Sequence, residues 1–456
     1  MIVVGAGAGG CVAAARLFDA GCEVHLFEAA PADATNSSID LEVGLQRADL
    51  LDDSVFVSSF TGGQRIPYVR GRALGGTTAI NALIQMCGTR QDWDDWSDRF
   101  GCVGWNWNAI RREIASLEFP AYQPSDSEHG RLTLAVLRAT EGLGASKCRH
   151  VGETADGAGA VGLSIASGHR ADAYSVFVAP RVAADPKRMV VEAGRAVREI
   201  AISSGRATGV VLVDDIEVGA EAVVVSAGAI WSPILLRRSG VSRSGLGRNL
   251  KDHPSLSLTL AADDAEQIGA KSRIKGLVVA SSHIGESDIN VLPVESNQIV
   301  AAVTQVSSVG HVQEVDGRAE VVLGSLETSD DATRMLSALG LVSDLLACES
   351  MKSFSSHVSV DERGTPLGAL MAHDDASIIS FARRRPRPYS HAVGTCRMGD
   401  LRDAESVVDS LGEVHGAVNL WVADASVFPD IPRAATQVPV MAVASRIARG
   451  VGQRLG

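Results

Sequence analysis

"MIVVGAGAGGCVAAARLFDAGCEVHLFEAA" (residues 1–30) spells a strand, a glycine turn, a helix and a second strand. Ile2 to Val4 is a β-branched run, and Gly5, Gly7 and Gly10 follow it with G-x-G-x-x-G spacing. Cys11 to Phe18 carries small and apolar residues at helical spacing, and "EVHLFE" supplies a strand that ends on Glu28. Each glycine has its own task. Gly5 makes the tight turn, Gly7 lets a pyrophosphate approach the backbone, and Gly10 allows the helix to pack closely on the strand. The start of the helix offers free N–H groups to phosphate oxygens. Glu28, 18 residues after Gly10, is placed to accept hydrogen bonds from a ribose. This pattern predicts a dinucleotide site, and by itself it does not choose between NAD and FAD.

The rest of the chain sets bounds on the reading. Its 456 residues are enough for more than one core and for an enclosed site. Hydrophobic residues make up 46% and charged residues 21%, the balance of a globular protein. The net charge of −12 repels a phosphate backbone, so no nucleic-acid partner is expected. "ARRRPRP" (382–388) is one local basic run and reads as a solvated loop or a feature near an anionic group. Seven cysteines form no C-x-x-C pair, which favours a reducing compartment. Met1 leads straight into an apolar strand, and no uninterrupted run of apolar residues is long enough to span a bilayer. The expectation is a cytoplasmic protein with no membrane span and no metal site.

Residues 188–230 read as short strands separated by Gly, Ser and Asp turns. "SLSLTLAAD" (255–263) and "KSFSSHVSV" (352–360) alternate like half-buried strands, and 330–346 has helical spacing. The chain closes with "QVPVMAVASRIARGVGQRL", an amphipathic helix with proline in its first turn.

Four further stretches carry a resemblance. "RGRALGGTTAINALIQMCGTRQDWDDW" (70–96), "SAGAIWSPILLRRSGV" (226–241), "GLGRNLKDHP" (245–254) and "VVDSLGEVHGAVNLWVADASVFPDIP" (407–432) are similar to signatures of the glucose–methanol–choline (GMC) flavoprotein oxidoreductases. The resemblance implies an α/β fold, α+β overall, in which a Rossmann-type FAD-binding domain is interleaved with an antiparallel-sheet substrate-binding domain. The first would take residues 1–110, 170–253 and 385–456, and the second 111–169 and 254–384. Glycines 75 and 76 would bring backbone against the cofactor, Thr77 and Thr78 would offer hydroxyls and N–H groups, and Asn81 would bond near the flavin ring. Asp424 and Ala425 would meet the ribityl or pyrophosphate region. Arg72, Ala82, Val197, Thr436 and Gln437 complete the cofactor contacts that the resemblance implies. His253 and His415 are expected to be structural. Trp231 is unusual within its signature, and both stacking near the cofactor and core filling stay open. Where some members attach FAD through a histidine, this chain has Ile80, so non-covalent FAD is expected.

Alcohol oxidation by a flavin needs a base for the hydroxyl proton and a carbon-bound hydrogen aimed at flavin N5. "YSHAVGTCRMG" (389–399) resembles the family's H-x-x-G-T stretch, which makes His391 the base in a hydride transfer from a small organic alcohol. Cys396 beside it reads as packing. The family's second active-site residue, a histidine or asparagine, falls at Ala435, which has no donor or acceptor. That absence favours a dehydrogenase over an O2-using oxidase, with the acceptor (O2, a quinone or a protein) left open. It also leaves open a non-redox or photochemical FAD enzyme, hydroxynitrile lyase-like or photodecarboxylase-like, or a flavin-binding protein with reduced catalysis.

Overall fold

The glycine turn works because two elements approach more closely than any side chain would permit. A Cβ on Gly10 would lie 1.8 Å from the Gly5 carbonyl oxygen, and Gly5 itself has φ 99°. In the computed structural model, which describes residues 1–58, 65–148, 156–260, 272–385 and 387–455, this turn joins strand Ile2–Val4 to helix Ala8–Asp19. The strand is the centre of a five-stranded parallel sheet, ordered Met189–Ala193, Val24–Glu28, Ile2–Val4, Val223–Val225, Leu420–Val422. Every pairing in it is parallel. Such a sheet is covered on both faces, so its strands are apolar runs without alternation; Val3, Val223, Val224 and Val225 are completely buried. Helices Ala8–Asp19 and Gln437–Leu455 pack against each other in the same core.

The second layer follows a different rule. An eight-stranded sheet contains Gly157–Ala160, Gly276–Ala280, Ile289–Val294, Gln298–Val303 and Pro254–Leu260, antiparallel throughout that stretch. Its residues alternate by face. Leu256, Leu258, Ile289, Val291, Ile299 and Ala301 enter a core with helices Arg131–Gly142 and Ser329–Ala347. Leu277, Leu292 and Val300 point to a second cluster on the opposite face, shared with Ile84 and Met86. The two sheet types match the expected α/β class with an antiparallel second layer.

The strands expected across 188–230 are present, with a three-stranded meander between two strands of the parallel sheet. Strand Pro254–Leu260 agrees with the alternation at 255–260, and 261–263 lies outside the described residues. The expected strand at 352–360 does not form, because only Val358–Ser359 pairs. A turn at Glu349–Met351 buries Met351 and Phe354 in the core of the second layer, and that burial produced the apparent alternation. Among the described residues no helix is long and apolar enough to cross a membrane.

Candidate active site

The strands of the parallel sheet end at a cavity of about 860 Å³ whose far wall is the antiparallel sheet. Val4, Glu28, Ser226 and Asp424 line it at or just beyond four strand ends, the usual ligand position in an open α/β sheet. Ser257, Asn290, Leu292 and Val300 line it from the antiparallel side.

One end is built from backbone. Helix Ala8–Asp19 starts at Gly7 with no side-chain cap, so its first N–H groups have no intrahelical partner. Gly7, Ala8 and Gly9 line the cavity, and a Cβ on Gly7 would meet nothing within 4 Å. Opposite it, the turn at Gly75 and Gly76 comes so close that a Cβ on Gly76 would lie 2.8 Å from the Gly7 Cα. Glu28 accepts from the N–H groups of Ala6 and Ala30, both at 2.8 Å, and still lines the cavity. Burial pushes its carboxyl above the ordinary value, against the pull of those N–H groups. Arg72, Arg195 and Val197 line the same end. An uncapped helix start facing open space, with a fixed carboxylate at the end of the next strand, fits the pyrophosphate and ribose of a dinucleotide such as FAD.

Several expected cofactor contacts are spent inside the protein. Gly10 and Gly75 do not line the cavity. Gly10 sits behind the wall against the Gly5 carbonyl, and a Cβ on Gly75 would meet the Asp172 carboxylate at 2.8 Å. The Thr78 hydroxyl donates to the Gly75 carbonyl and accepts from Ala173 N–H. Asn81 donates to Gln437, while its carbonyl oxygen accepts from Leu83 N–H and Arg170. Gln437 in turn donates to Ser164 at 3.0 Å. The Asp424 carboxylate receives four donors, from Gly228 N–H, Ser232, Ser426 N–H and the Ser426 hydroxyl. Thr78, Asn81, Gln437 and Asp424 reach the cavity, as do Gly76, Thr77, Ala82, Ala425 and Thr436. Polar side chains in glycine-rich turns are consumed in holding those turns, which leaves backbone to meet a ligand.

His391 lies in the cavity wall at the other end. Ser390 before it has φ 63°, and the buried Asp252 carboxylate holds the bend by accepting from Ser390 N–H at 3.2 Å and His391 N–H at 2.9 Å. Tyr68 donates its hydroxyl to Asp252 and accepts from Ala392 N–H, and Arg70 donates to the Ser390 carbonyl. Gly394, at φ 91°, lets the turn pack on Asn249, whose carbonyl a Cβ would meet at 2.4 Å. His391 Nδ1 is 2.9 Å from His253 Nδ1. His253 is fully buried, which pulls its imidazole down to about 4. Burial first, then His253 and Arg70, hold His391 well below the ordinary histidine value. Both rings are therefore neutral near pH 7, and a single proton lies between the two Nδ1 atoms.

The sequence reading treated His253 as structural and gave no sign that it would bond His391, because 138 residues separate them. Asp252 and Tyr68 were missed as well, and so were Asn290 and Tyr389 on the cavity wall. Ala435 is in that wall, packed in the cluster that includes Tyr389 and Leu292. Its loop is fixed by Arg433, which bonds Asp92 through its N–H and its guanidinium. His415 bonds the Gly399 carbonyl, and Cys396 is buried with its thiol pushed up by burial, both away from the cavity wall. Trp231 does two things at once. It lines the cavity, and it packs on a core around Val55 and Tyr68 with its indole N–H donating to Asp52 at 2.8 Å.

Known proteins resemble the chain in sequence and in fold. The GMC oxidoreductase family matches over residues 1–255 and 305–444. The chain is 27% identical to 5-(hydroxymethyl)furfural oxidase of Methylovorus sp., over 84% of this chain and 83% of that one. It is 25% identical to pyridoxine 4-oxidase of Microbacterium luteolum, over 98% of each. Human mitochondrial choline dehydrogenase is 25% identical over 98% of this chain and 88% of its own. The crystal structure of pyridoxine 4-oxidase from Mesorbium loti superimposes with a TM-score of 0.87 at 23% identity, covering 98% of both chains, and shows the same fold. With the glycine-turn site, the strand ends at the cavity and the His391 turn inside the matched segments, the chain belongs to the GMC family of flavoprotein oxidoreductases, FAD-dependent enzymes acting on alcohols.

Proposed function

We propose that the chain binds FAD non-covalently and oxidises a small, uncharged organic alcohol, with His391 as the base. The observation that carries this reading is His391, half-buried on the wall of the same cavity as the uncapped helix start, with its imidazole held below the ordinary histidine value by its surroundings. The parallel-sheet layer, within 1–110, 170–253 and 385–456, would hold the cofactor. The antiparallel layer, 111–169 and 254–384, would hold the substrate. Gly5, Gly7, Gly76 and Thr77 would face the phosphates and ribityl chain, Glu28, Arg72 and Val197 the adenosine, and Ala82, Asp424, Ala425, Thr436 and Gln437 the flavin side, mainly through backbone. Ile80, buried and apolar, supports a cofactor held without a covalent bond.

FAD, when bound, supplies a two-electron acceptor for the carbon-bound hydrogen and its electron pair. The protein's part is the proton. With His391 Nδ1–H donating to His253 Nδ1, His391 keeps a lone pair on Nε2 for the alcohol O–H. As that bond breaks, its electron pair becomes the second bond of the carbonyl product. Asp252, Tyr68 and Arg70 fix the backbone of the base, so little reorganisation is needed at the moment of reaction. On the substrate side of the wall Ile84, Met86, Leu277, Leu292 and Val300 are apolar, with Asn290 and Ser257 as polar groups, which supports an uncharged substrate.

Ala435 supports a dehydrogenase over an oxidase, because it places no cationic side chain to stabilise an anion of reduced oxygen. Seven free thiols support a reducing, cytoplasmic setting. The test is anaerobic mixing of the yellow holoenzyme with an alcohol panel while flavin absorbance is followed. Bleaching that disappears in His391→Ala fits the reading, and unchanged bleaching removes His391 from the mechanism. The rate of recolouring in air then separates oxidase from dehydrogenase.

A further inference from the structure

We propose that the Tyr389 hydroxyl is the second catalytic group of this site, donating to the substrate oxygen in the place that Ala435 leaves without a side-chain donor. The inference rests on the reading of His391 as base and deepens it.

A developing alkoxide needs a donor as well as a base, since an oxygen losing its proton in a cavity walled by apolar side chains is strongly destabilised without one. The polar groups around His391 can be sorted by what already engages them. Gln437 is bonded to Asn81 and Ser164, and Asn81 also to Arg170. Arg70 is bonded to the Ser390 carbonyl. The Tyr68 phenol donates to Asp252 and accepts from Ala392 N–H, which satisfies it on both sides. Tyr389 differs. It lines the cavity and is only half-buried. Among the described residues no hydrogen bond engages its hydroxyl, and that oxygen is not among their sealed polar atoms.

Position agrees with chemistry. The left-handed Ser390 joins Tyr389 to His391, and the two rings meet edge to face with centroids 4.8 Å apart at 89°. Tyr389 packs in the same apolar cluster as Ala435. The phenol is thus next to His391, and it lines the same cavity and packs on the same apolar cluster as Ala435. Its surroundings, then Asp252, push its pKa up, so the phenol keeps its proton and has an O–H to donate. The side chain of Asn290, nine-tenths buried and on the cavity wall in the middle of the antiparallel sheet, has no hydrogen bond among the described residues. It is left to the far end of the substrate.

The test uses the FAD-loaded protein and Tyr389→Phe, which keeps the ring and its contact with His391. Benzyl alcohol and 5-(hydroxymethyl)furfural are mixed anaerobically with each. The expected result is flavin reduction about 10- to 100-fold slower in the Phe variant, the scale of one hydrogen bond to a charging oxygen, at equal FAD content. In parallel, 2-phenyl-2-propanol, which has no carbinol hydrogen to lose, is titrated against the flavin spectrum. Its Kd should rise several-fold in the Phe variant. Wild-type rates in Tyr389→Phe overturn the inference and leave the oxidation reading standing. A slow Phe variant that binds the tertiary alcohol as tightly as wild type also overturns it, because the hydroxyl then does not touch the substrate oxygen. A wild-type protein bleached by neither alcohol nor any other of the panel removes the oxidation reading and this inference with it.

Discussion

At the Glu28 end of the cavity the protein presents backbone, whereas at the His391 end it presents side chains. The first end is a helix start without a cap and two glycine turns pressed together. The second is His391, His253, Asp252, Tyr68 and Tyr389, drawn from three segments far apart in the chain. Backbone N–H groups bind any suitably placed phosphate, so where it meets phosphates the first end tolerates little change in shape and depends little on side chains. The second depends on particular donors and acceptors, so a conservative exchange there alters chemistry while leaving the fold in place.

The contrast predicts different kinds of failure. The largest effect belongs to the shape of the first end. Gly10→Val would force a side chain into the Gly5 carbonyl, and purified protein should carry no flavin and unfold at a much lower temperature. A Gly10→Val protein with a full complement of FAD would break the close-approach account. Next is His391→Ala, which should retain FAD and folding while flavin reduction by alcohol slows about 10²–10⁴-fold, the usual scale for a lost general base.

The histidine pair also makes stability depend on pH. Unfolded histidine takes up a proton near 6.5, whereas buried His253 resists it until about 4. The unfolded state therefore binds more protons between those values, so stability is constant above about pH 6.5 and falls as pH drops towards 4. The loss is up to about 3 kcal/mol from His253, and His391 acts in the same direction. Denaturant midpoints from pH 8 to 4 should fall on that side only, and His253→Phe should flatten the curve. A smaller change separates binding from folding. A Cβ on Gly7 meets no protein atom, so Gly7→Ala should melt like wild type yet bind FAD about tenfold more weakly in titrations of the apoprotein. The smallest is Trp231→Phe, which loses the bond to Asp52 and about 1 kcal/mol of stability, read from chemical denaturation with flavin content unchanged.

Legibility in the sequence followed the same division. The strand–turn–helix at 1–30, the C-terminal helix and the position of Glu28 were readable because spacing of a few residues dictates them, and the family resemblance pointed to His391, which lines the same cavity. The glycine assignments needed refinement. Gly10 and Gly75 support the wall from behind, and the side chains of Thr78, Asn81 and Asp424 serve the protein before any ligand. The alternation at 352–360 misled, since a turn burying Met351 and Phe354 mimics the period of a strand.

By itself the sequence pointed to the nucleotide end through the spacing of its glycines, and its resemblance to the family pointed to His391 as the expected base and to Ala435, without a donor, at the second position. These are properties of short motifs or of one residue. Only the tertiary structure decided that His253 meets His391, that Asp252 holds the bend before His391, and that Tyr389 and Ala435 line the same cavity. Such contacts join residues more than a hundred positions apart, or depend on which polar groups remain unpaired once every other bond has formed. Local periodicity carries information about neither.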